Sequence, residues 1–160
     1  SDPLMRSEFY TLFGDIAFRQ NRTEEAFAYY DKALENNPQN YGALNNYSYY
    51  LALLGKNLDK AERMSGEVIK ANPDNATYLD TYAWVYFKQG RYSLARLYLK
   101  KALDLSKEAS AEMYEHYGDV LAVTGNESEA VGWWKKAVDA GGDSEILHRK
   151  IAEKRYIGNE

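Results

Sequence analysis

The sequence predicts an all-α fold in which four helix-turn-helix units are followed by one C-terminal capping helix. Three observations lead to this prediction. Small residues recur every 34 or 35 residues, turn-forming residues recur at the same period, and apolar residues occur at helical spacing between them. A period of this size is typical of stacked helical hairpins, in which each hairpin buries its apolar face against its neighbours.

The small residues mark the second helix of each unit. They recur at intervals of 35, 34 and 35 residues, as Ala26, Ala61, Ala95 and Ala130. A small side chain at a helix crossing lets two helices approach closely, because interaxial distance depends on the side chains at the contact. Five or six positions before each alanine stands a turn residue: Asn21, Gly55, Gly90 or Gly125. Each unit therefore contains a helix, a tight turn and a second helix.

Apolar spacing predicts nine helices, near residues 7–20, 23–36, 41–54, 58–71, 76–89, 92–105, 111–124, 127–139 and 144–157. Pro38 and Pro73 end the second and fourth of these, because proline lacks the donor that a helix interior needs. The predicted units are about 7–40, 41–75, 76–110 and 111–143. We expect them to form a single array over residues 1–160, with the capping helix at about 144–157.

The two ends of the array differ. In the last helix, which Asp143 or Ser144 can cap, Leu147 and Ile151 would face the stack, and Lys150 would lie on the wet outer face. The first helix carries Phe9 and Phe13 with only a few residues before them. We therefore expect more protein to precede residue 1.

Composition excludes several functions. With 20 basic and 24 acidic residues the formal charge is −4, so the sequence predicts no nucleic-acid partner, and the absence of cysteine excludes disulfides and thiolate metal sites. No apolar run approaches the roughly 20 residues that cross a bilayer, so no membrane insertion is predicted. Neither a phosphate loop nor a nucleophile elbow occurs. We expect no catalytic residue, no cofactor and no metal, and we interpret His116 and Glu112 as an exposed pair.

The chain resembles the tetratricopeptide repeat (TPR) family. Counting units from Ser7, Tyr41, Ala76 and Ala111, five positions carry the resemblance. Large residues stand at position 4 (Tyr10, Leu44, Leu79, Tyr114) and position 7 (Phe13, Tyr47, Tyr82, Tyr117), and small ones at position 8 (Gly14, Ser48, Ala83, Gly118). Position 20 is the alanine series, and position 24 holds Tyr30, Ser65, Leu99 and Trp134. The second unit has one extra residue between Gly55 and Ala61.

The resemblance implies a right-handed α-solenoid that acts as a non-enzymatic protein–protein interaction scaffold. In this family the first helix of each unit lines a concave groove. The implied groove residues are Thr11, Asp15, Asn45, Tyr49, Asp80, Trp84, Lys88, Glu115 and Asp119. Tyr49 and Trp84 would form an aromatic centre between acidic neighbours, so we expect a protein or peptide partner with basic and aromatic residues. The alternative is that both rings only complete the packing.

Other functions stay open. The chain could be a structural or oligomerisation segment of a larger cell-envelope protein, including a homo-oligomer, or an accessory domain of an enzyme encoded upstream. The tyrosine-rich segment 79–86 is similar to repeat proteins of bacterial cell envelopes, which favours a bacterial periplasm or envelope over the cytoplasm. The clamp that binds chaperone C-termini is not expected, because only Asn46 matches it and an acidic groove repels a carboxylate.

Overall fold

The computed structural model describes residues 2–158. Within that range every regular secondary-structure element is an α-helix, which confirms the predicted all-α class. The helices are α1 (Pro3–Arg19), α2 (Thr23–Asn36), α3 (Tyr41–Leu54), α4 (Leu58–Ala71), α5 (Ala76–Lys88), α6 (Tyr92–Leu105), α7 (Ala111–Val123), α8 (Glu127–Asp139) and α9 (Glu145–Glu153). None of these helices is long and apolar enough to cross a bilayer.

Two predicted helix ends are wrong, and local chemistry explains both. Helix α1 begins at Pro3 rather than residue 7, because the Asp2 carboxylate accepts a hydrogen bond from the Leu4 amide and proline suits the first helical position. Helix α9 ends at Glu153 rather than near 157, because Lys154 adopts a left-handed conformation with φ of 56°. Ser144 caps α9, as one of the two predicted candidates, by accepting from the Leu147 amide.

The predicted turn residues close the hairpins in the left-handed region. Asn21, Gly55, Gly90 and Gly125 have φ of 62°, 65°, 78° and 89°. Glycine and asparagine tolerate this region better than other residues, which explains why the period shows those types. The extra residue of the second unit falls in the same turn, where Asn57 also has a positive φ of 46°.

The chain divides into two compact units. Unit 1 extends to Ala71 and contains the hairpins α1/α2 and α3/α4. Unit 2 starts at Asn72 and contains the hairpins α5/α6 and α7/α8 together with α9. The boundary lies close to the predicted division between the second and third repeats. The prediction that all four repeats form one array stays a prediction.

Small residues and buried rings hold the helices of each hairpin together. All four alanines of the repeat series are fully buried, as are the four residues at position 24. In α1 and α7 position 8 is glycine, and an aromatic ring of the second helix lies directly over it. A Cβ atom added at Gly14 would meet Tyr30 at 2.7 Å, and one added at Gly118 would meet Trp134 at 2.5 Å.

Each of these rings is also fixed by the aspartate that follows the glycine. The Tyr30 hydroxyl donates to Asp15, and Trp134 Nε1 donates to Asp119 Oδ1 at 3.1 Å. A buried donor of this kind must be satisfied, and the adjacent carboxylate does so without leaving the hairpin. The Gly-Asp pair and the polar ring therefore form one packing unit in the first and fourth repeats.

Helix α1 keeps an apolar face exposed. Six of its large side chains are between 38% and 59% exposed: Leu4, Met5, Phe9, Leu12, Phe13 and Ile16. The resemblance places Phe13 at position 7, where Tyr47 and Tyr117 of later repeats are nearly buried. The expectation that more protein precedes residue 1 stays a prediction.

The close approach over Gly118 generates a stability prediction. Gly118→Ala should lower the free energy of unfolding of unit 2 by about 1–3 kcal/mol, because the new methyl group meets the Trp134 ring. All three tryptophans lie in unit 2, so tryptophan fluorescence during urea unfolding reports on that unit. The matched control is Gly132→Ala in α8, where a Cβ meets nothing within 4 Å. It should stabilise by about 0.5–1 kcal/mol, and an equal response of both variants would contradict the packing account.

Candidate functional site

Repeat positions 5, 6 and 9 of the first helices are here called the inner positions, and in unit 1 they carry a row of hydrogen-bonded polar side chains. Asp15 in α1 accepts from the Tyr30 hydroxyl and from Asn46 Nδ2 of α3 at 3.0 Å. Asn45 Nδ2 in turn reaches Asn46 Oδ1 at 3.4 Å. Burial raises the pKa of Tyr30, and the Asp15 carboxylate raises it further. Both of these donors to Asp15 are neutral groups.

Tyr49 lies one helical turn beyond Asn45 and Asn46 on α3. Its ring is partly exposed and lies 6.0 Å from the Tyr50 ring. Asn45 is 7% exposed, and its Oδ1 atom has no hydrogen-bond partner within the described residues. The inner face of unit 1 therefore combines a carboxylate, two carboxamides and an aromatic ring.

In unit 2 the corresponding positions are buried in an ionic cluster. His116 Nδ1 of α7 donates to Asp80 Oδ1 of α5 at 2.8 Å, and the Trp84 ring stacks on both the His116 and Phe87 rings, with centroids 3.9 and 4.3 Å apart. Burial acts to lower the pKa of His116. The Asp80 carboxylate, with Glu112 and Asp119, outweighs that effect and the pKa is raised.

Lys150 of α9 completes this cluster. It is 3% exposed, and its Nζ lies 2.7 Å from Glu115 Oε2 and 2.8 Å from Asp119 Oδ1. A buried ammonium needs such partners, because an unpaired charge in the interior is strongly unfavourable. Burial raises the pKa of Asp119 to about 6, although the Lys150 ammonium acts to lower it. Asp119 thus accepts a hydrogen bond from Trp134 of α8 and also pairs with Lys150 of α9.

Three donors that reach the preceding first helix occupy one repeat position. Counted from the start of their repeats, or from Glu145 for α9, Asn46, His116 and Lys150 are all at position 6. Each reaches acidic side chains at position 5 or 9 of the preceding first helix. Carboxylates at these inner positions are therefore neutralised, or hydrogen-bonded, by the next repeat.

The structure corrects several expectations about these residues. Five of the nine predicted groove residues are buried, namely Thr11, Asn45, Asp80, Trp84 and Asp119, and four are partly exposed, namely Asp15, Tyr49, Lys88 and Glu115. An open aromatic surface at Trp84 is wrong, because the ring is 6% exposed under its stacking partners. An exposed His116–Glu112 pair is wrong too, since His116 is 5% exposed. The assignment of the nine residues to a binding groove stays a prediction.

Lys150 and Tyr156 were missed as members of the site. Lys150 was expected on the outer face, and the burial contradicts this. A signal was available, because Lys150 follows the buried Leu147 by three residues, which places both on one face of a helix. Tyr156 was expected inside the last helix, but it follows the end of α9 and its ring packs edge-on against Phe87 at 5.3 Å.

Comparison with known families decides the identity of the fold. Two family models, both described as tetratricopeptide repeat, match residues 17–85 and 81–145 and so cover 17–145 together. The chain belongs to the tetratricopeptide repeat family. TPR domains generally mediate protein–protein interaction, so the coarse functional class follows from the family.

Curated relatives are TPR proteins as well. A TPR repeat-containing protein of Methanocaldococcus jannaschii is 32% identical over 134 residues, which is 84% of this chain and 23% of the relative. A TPR repeat-containing protein of Pseudomonas aeruginosa is 32% identical over 82 residues, 51% of this chain and 14% of the relative. The chain thus spans less than a quarter of the length of either relative.

Solved TPR structures show the same fold. PilF of Pseudomonas aeruginosa superposes with a TM-score of 0.78 at 19% identity, over 96% of this chain and 69% of PilF. MamA of Desulfovibrio magneticus gives 0.69 at 18%, over 90% and 76%. YrrB, a TPR protein with an unusual peptide-binding site, gives 0.61 at 23%, over 91% and 74%. At these identities the similarity shows the fold alone.

The His116–Asp80 pair makes the stability of unit 2 depend on pH. Because the pKa of His116 is raised above 6.5, the folded state binds the proton more tightly, and the free energy of unfolding falls as pH rises above that value. We expect the urea midpoint from tryptophan fluorescence to fall as pH rises above about 6.5.

The control for this prediction is His116→Gln, which cannot titrate and should lack the fall. Asp119 acts in the same direction but at lower pH, between 3.8 and about 6, because its folded-state pKa is raised. The effect of Asp119 on stability is therefore expected below pH 6.5. An equal fall in the variant above pH 6.5 would show that another group titrates.

Proposed function

We propose that this TPR domain binds a basic segment of another protein on the inner face of unit 1. One observation carries the proposal. Asp15, Asn46 and Tyr49 are partly exposed there, whereas Asp119, Lys150 and Trp84 at the same repeat positions, with α9 counted as the start of a further repeat, are buried. Unit 1 thus offers to a ligand the groups that unit 2 uses internally.

The chemistry of this face favours a cationic ligand with a flat or apolar side chain. Among its described contacts the Asp15 carboxylate accepts hydrogen bonds from neutral donors, and the carboxylate-bearing Glu8 is exposed on the same helix. Carboxamides such as Asn46 can pair with a peptide backbone through both a donor and an acceptor. Large aromatic side chains such as Tyr49 are enriched among binding hot spots. YrrB supports a peptide ligand by analogy of fold, since it has a peptide-binding site.

Peptide selection with the whole chain tests this function. Random 12-residue peptides displayed on phage are selected on the wild-type protein at low salt, and enriched peptides are synthesised and measured by titration calorimetry. We expect Lys or Arg with an aromatic residue to be enriched. Tyr49→Ala should weaken binding at least about tenfold, as for a hot-spot aromatic, and raising NaCl to about 0.5 M should weaken it further.

The matched control is Tyr41→Ala, which removes a partly exposed tyrosine from the start of the same helix, beside Gln39, Glu67 and Lys70. It should leave peptide affinity unchanged. Equal losses of affinity in both variants would point to a general loss of stability. If neither Tyr49→Ala nor added salt changes the affinity, the binding surface lies elsewhere.

A second candidate function is self-association through α1. Its six exposed apolar side chains, defined above, repeat at helical spacing on one helix, and clustered exposed apolar residues commonly mark interaction sites. If a second copy covers this face, Leu12→Ser together with Phe9→Ser should convert a dimer to a monomer in light scattering. A monomeric wild type at about 100 µM would exclude this candidate.

A further inference from the structure

The segment that follows α9 packs a tyrosine against unit 2. Lys154, in the left-handed conformation, ends the helix, and its amide donates to the Lys150 carbonyl at 2.8 Å. Residues 155–158, here called the post-α9 segment, then bring Tyr156 against the Phe87 ring. Phe87 occupies position 12 of its repeat, which belongs to the concave positions that the family resemblance implies. The chain therefore covers part of its own inner face.

The place that Tyr156 occupies is a preformed aromatic slot. The Phe87 ring meets Tyr156 edge-on at 5.3 Å, and Lys150 Nζ lies 5.4 Å from the Tyr156 ring centroid. Phe87 is itself stacked on Trp84 and lies 5.2 Å from the Tyr92 ring. Apart from Tyr156, Phe87 contacts Trp84 and Tyr92, and Lys150 pairs with Glu115 and Asp119. The slot should therefore persist when the tyrosine leaves.

The charges around the slot favour a basic ligand. Glu115 and Asp119 both pair with the single Lys150 ammonium, so the three groups together carry a negative charge whenever both carboxylates are ionised. Burial raises the pKa of Tyr156 to about 12, and the nearby Asp119 and Glu115 carboxylates add to the rise. The segment that fills the slot contains Lys154 and Arg155 directly before the tyrosine.

The post-α9 segment is held mainly by side chains. No main-chain hydrogen bond joins residues 155–158 to the rest of the described chain. Arg155 pairs with Glu153, but both side chains are exposed and such pairs contribute little. A segment held by the contacts of Tyr156 with Phe87 and Lys150, and by no backbone ladder, can open locally without unfolding the helices behind it.

We propose that this slot on unit 2 is a binding site for an aromatic side chain in a basic segment of another protein, and that Tyr156 keeps it closed until such a segment displaces it. The ring contact and the cation–π geometry define the aromatic requirement. The Glu115 and Asp119 carboxylates favour a basic ligand segment. The site is separate from the inner face of unit 1 and does not depend on binding there.

A peptide with the sequence of residues 154–158 tests the proposal. The probe is fluorescein-labelled Lys-Arg-Tyr-Ile-Gly-amide, and its anisotropy is followed on titration with the whole chain. A tethered ligand acts at an effective concentration of about millimolar, so the wild type should bind the probe poorly. Tyr156→Ala should bind it at least about tenfold more tightly. Equal affinity of the two proteins, or no binding to the variant, would overturn the proposal.

Four controls separate the slot from other effects. Tyr156→Phe keeps a ring and should bind the probe as weakly as the wild type. Tyr156→Glu opens the slot by repulsion from Glu115 and Asp119 and should gain the probe, which supplies a second opened form. A probe with Ala in place of Tyr should bind none of the proteins. Tyr49→Ala in the Tyr156→Ala background should leave probe affinity unchanged, and a loss there would overturn the assignment to unit 2.

Discussion

The Asp119 carboxylate is the point on which the packing of unit 2 depends. It accepts from Trp134 of α8 and from Lys150 of α9, while it belongs to α7. Because Gly118 precedes it, the Trp134 ring can lie against the α7 backbone and reach the carboxylate at the same time. One residue thus fixes the hairpin α7/α8 and the helix that follows. Asp15 has the same relation to Tyr30 in unit 1, with Asn46 in the place of Lys150.

This arrangement explains why acidic residues occupy inner repeat positions even where, as at Asp80 and Asp119, the side chain is buried. A buried carboxylate without donors would cost several kcal/mol, so each one requires a partner from its own hairpin or from the next repeat. In repeat three the buried Asp80 carboxylate takes its partner, His116, from the next repeat. Repeats two and three differ from the other two in having no carboxylate at position 9. They have Tyr49 and Trp84 at position 9, with Ser65 and Leu99 at position 24, where no ring needs an acceptor.

The sequence predicts the repeat frame well because the frame is local. Alanine spacing, left-handed turn residues and the positions of Tyr30 and Trp134 all report contacts inside one hairpin. The site was harder to predict, because it depends on pairs about 31 to 36 residues apart, such as Asp119 with Lys150 and Asp80 with His116. From sequence alone a lysine is predicted to lie on the surface, unless an acidic partner for it is known. The end of α9 also escaped prediction, because Lys154 is not a residue type that usually marks a left-handed turn.

The dependence of α9 on Asp119 also orders the folding of the chain. Helix α9 has nine residues, which is too short for a stable helix in isolation. Its Lys150 gains from burial only when α7 already presents both carboxylates. During synthesis from the N-terminus, the fourth hairpin is complete before α9 is made. The Glu115 and Asp119 carboxylates can therefore stay hydrated until Lys150 pairs with them. We expect α9 to dock last and to leave first when the protein unfolds.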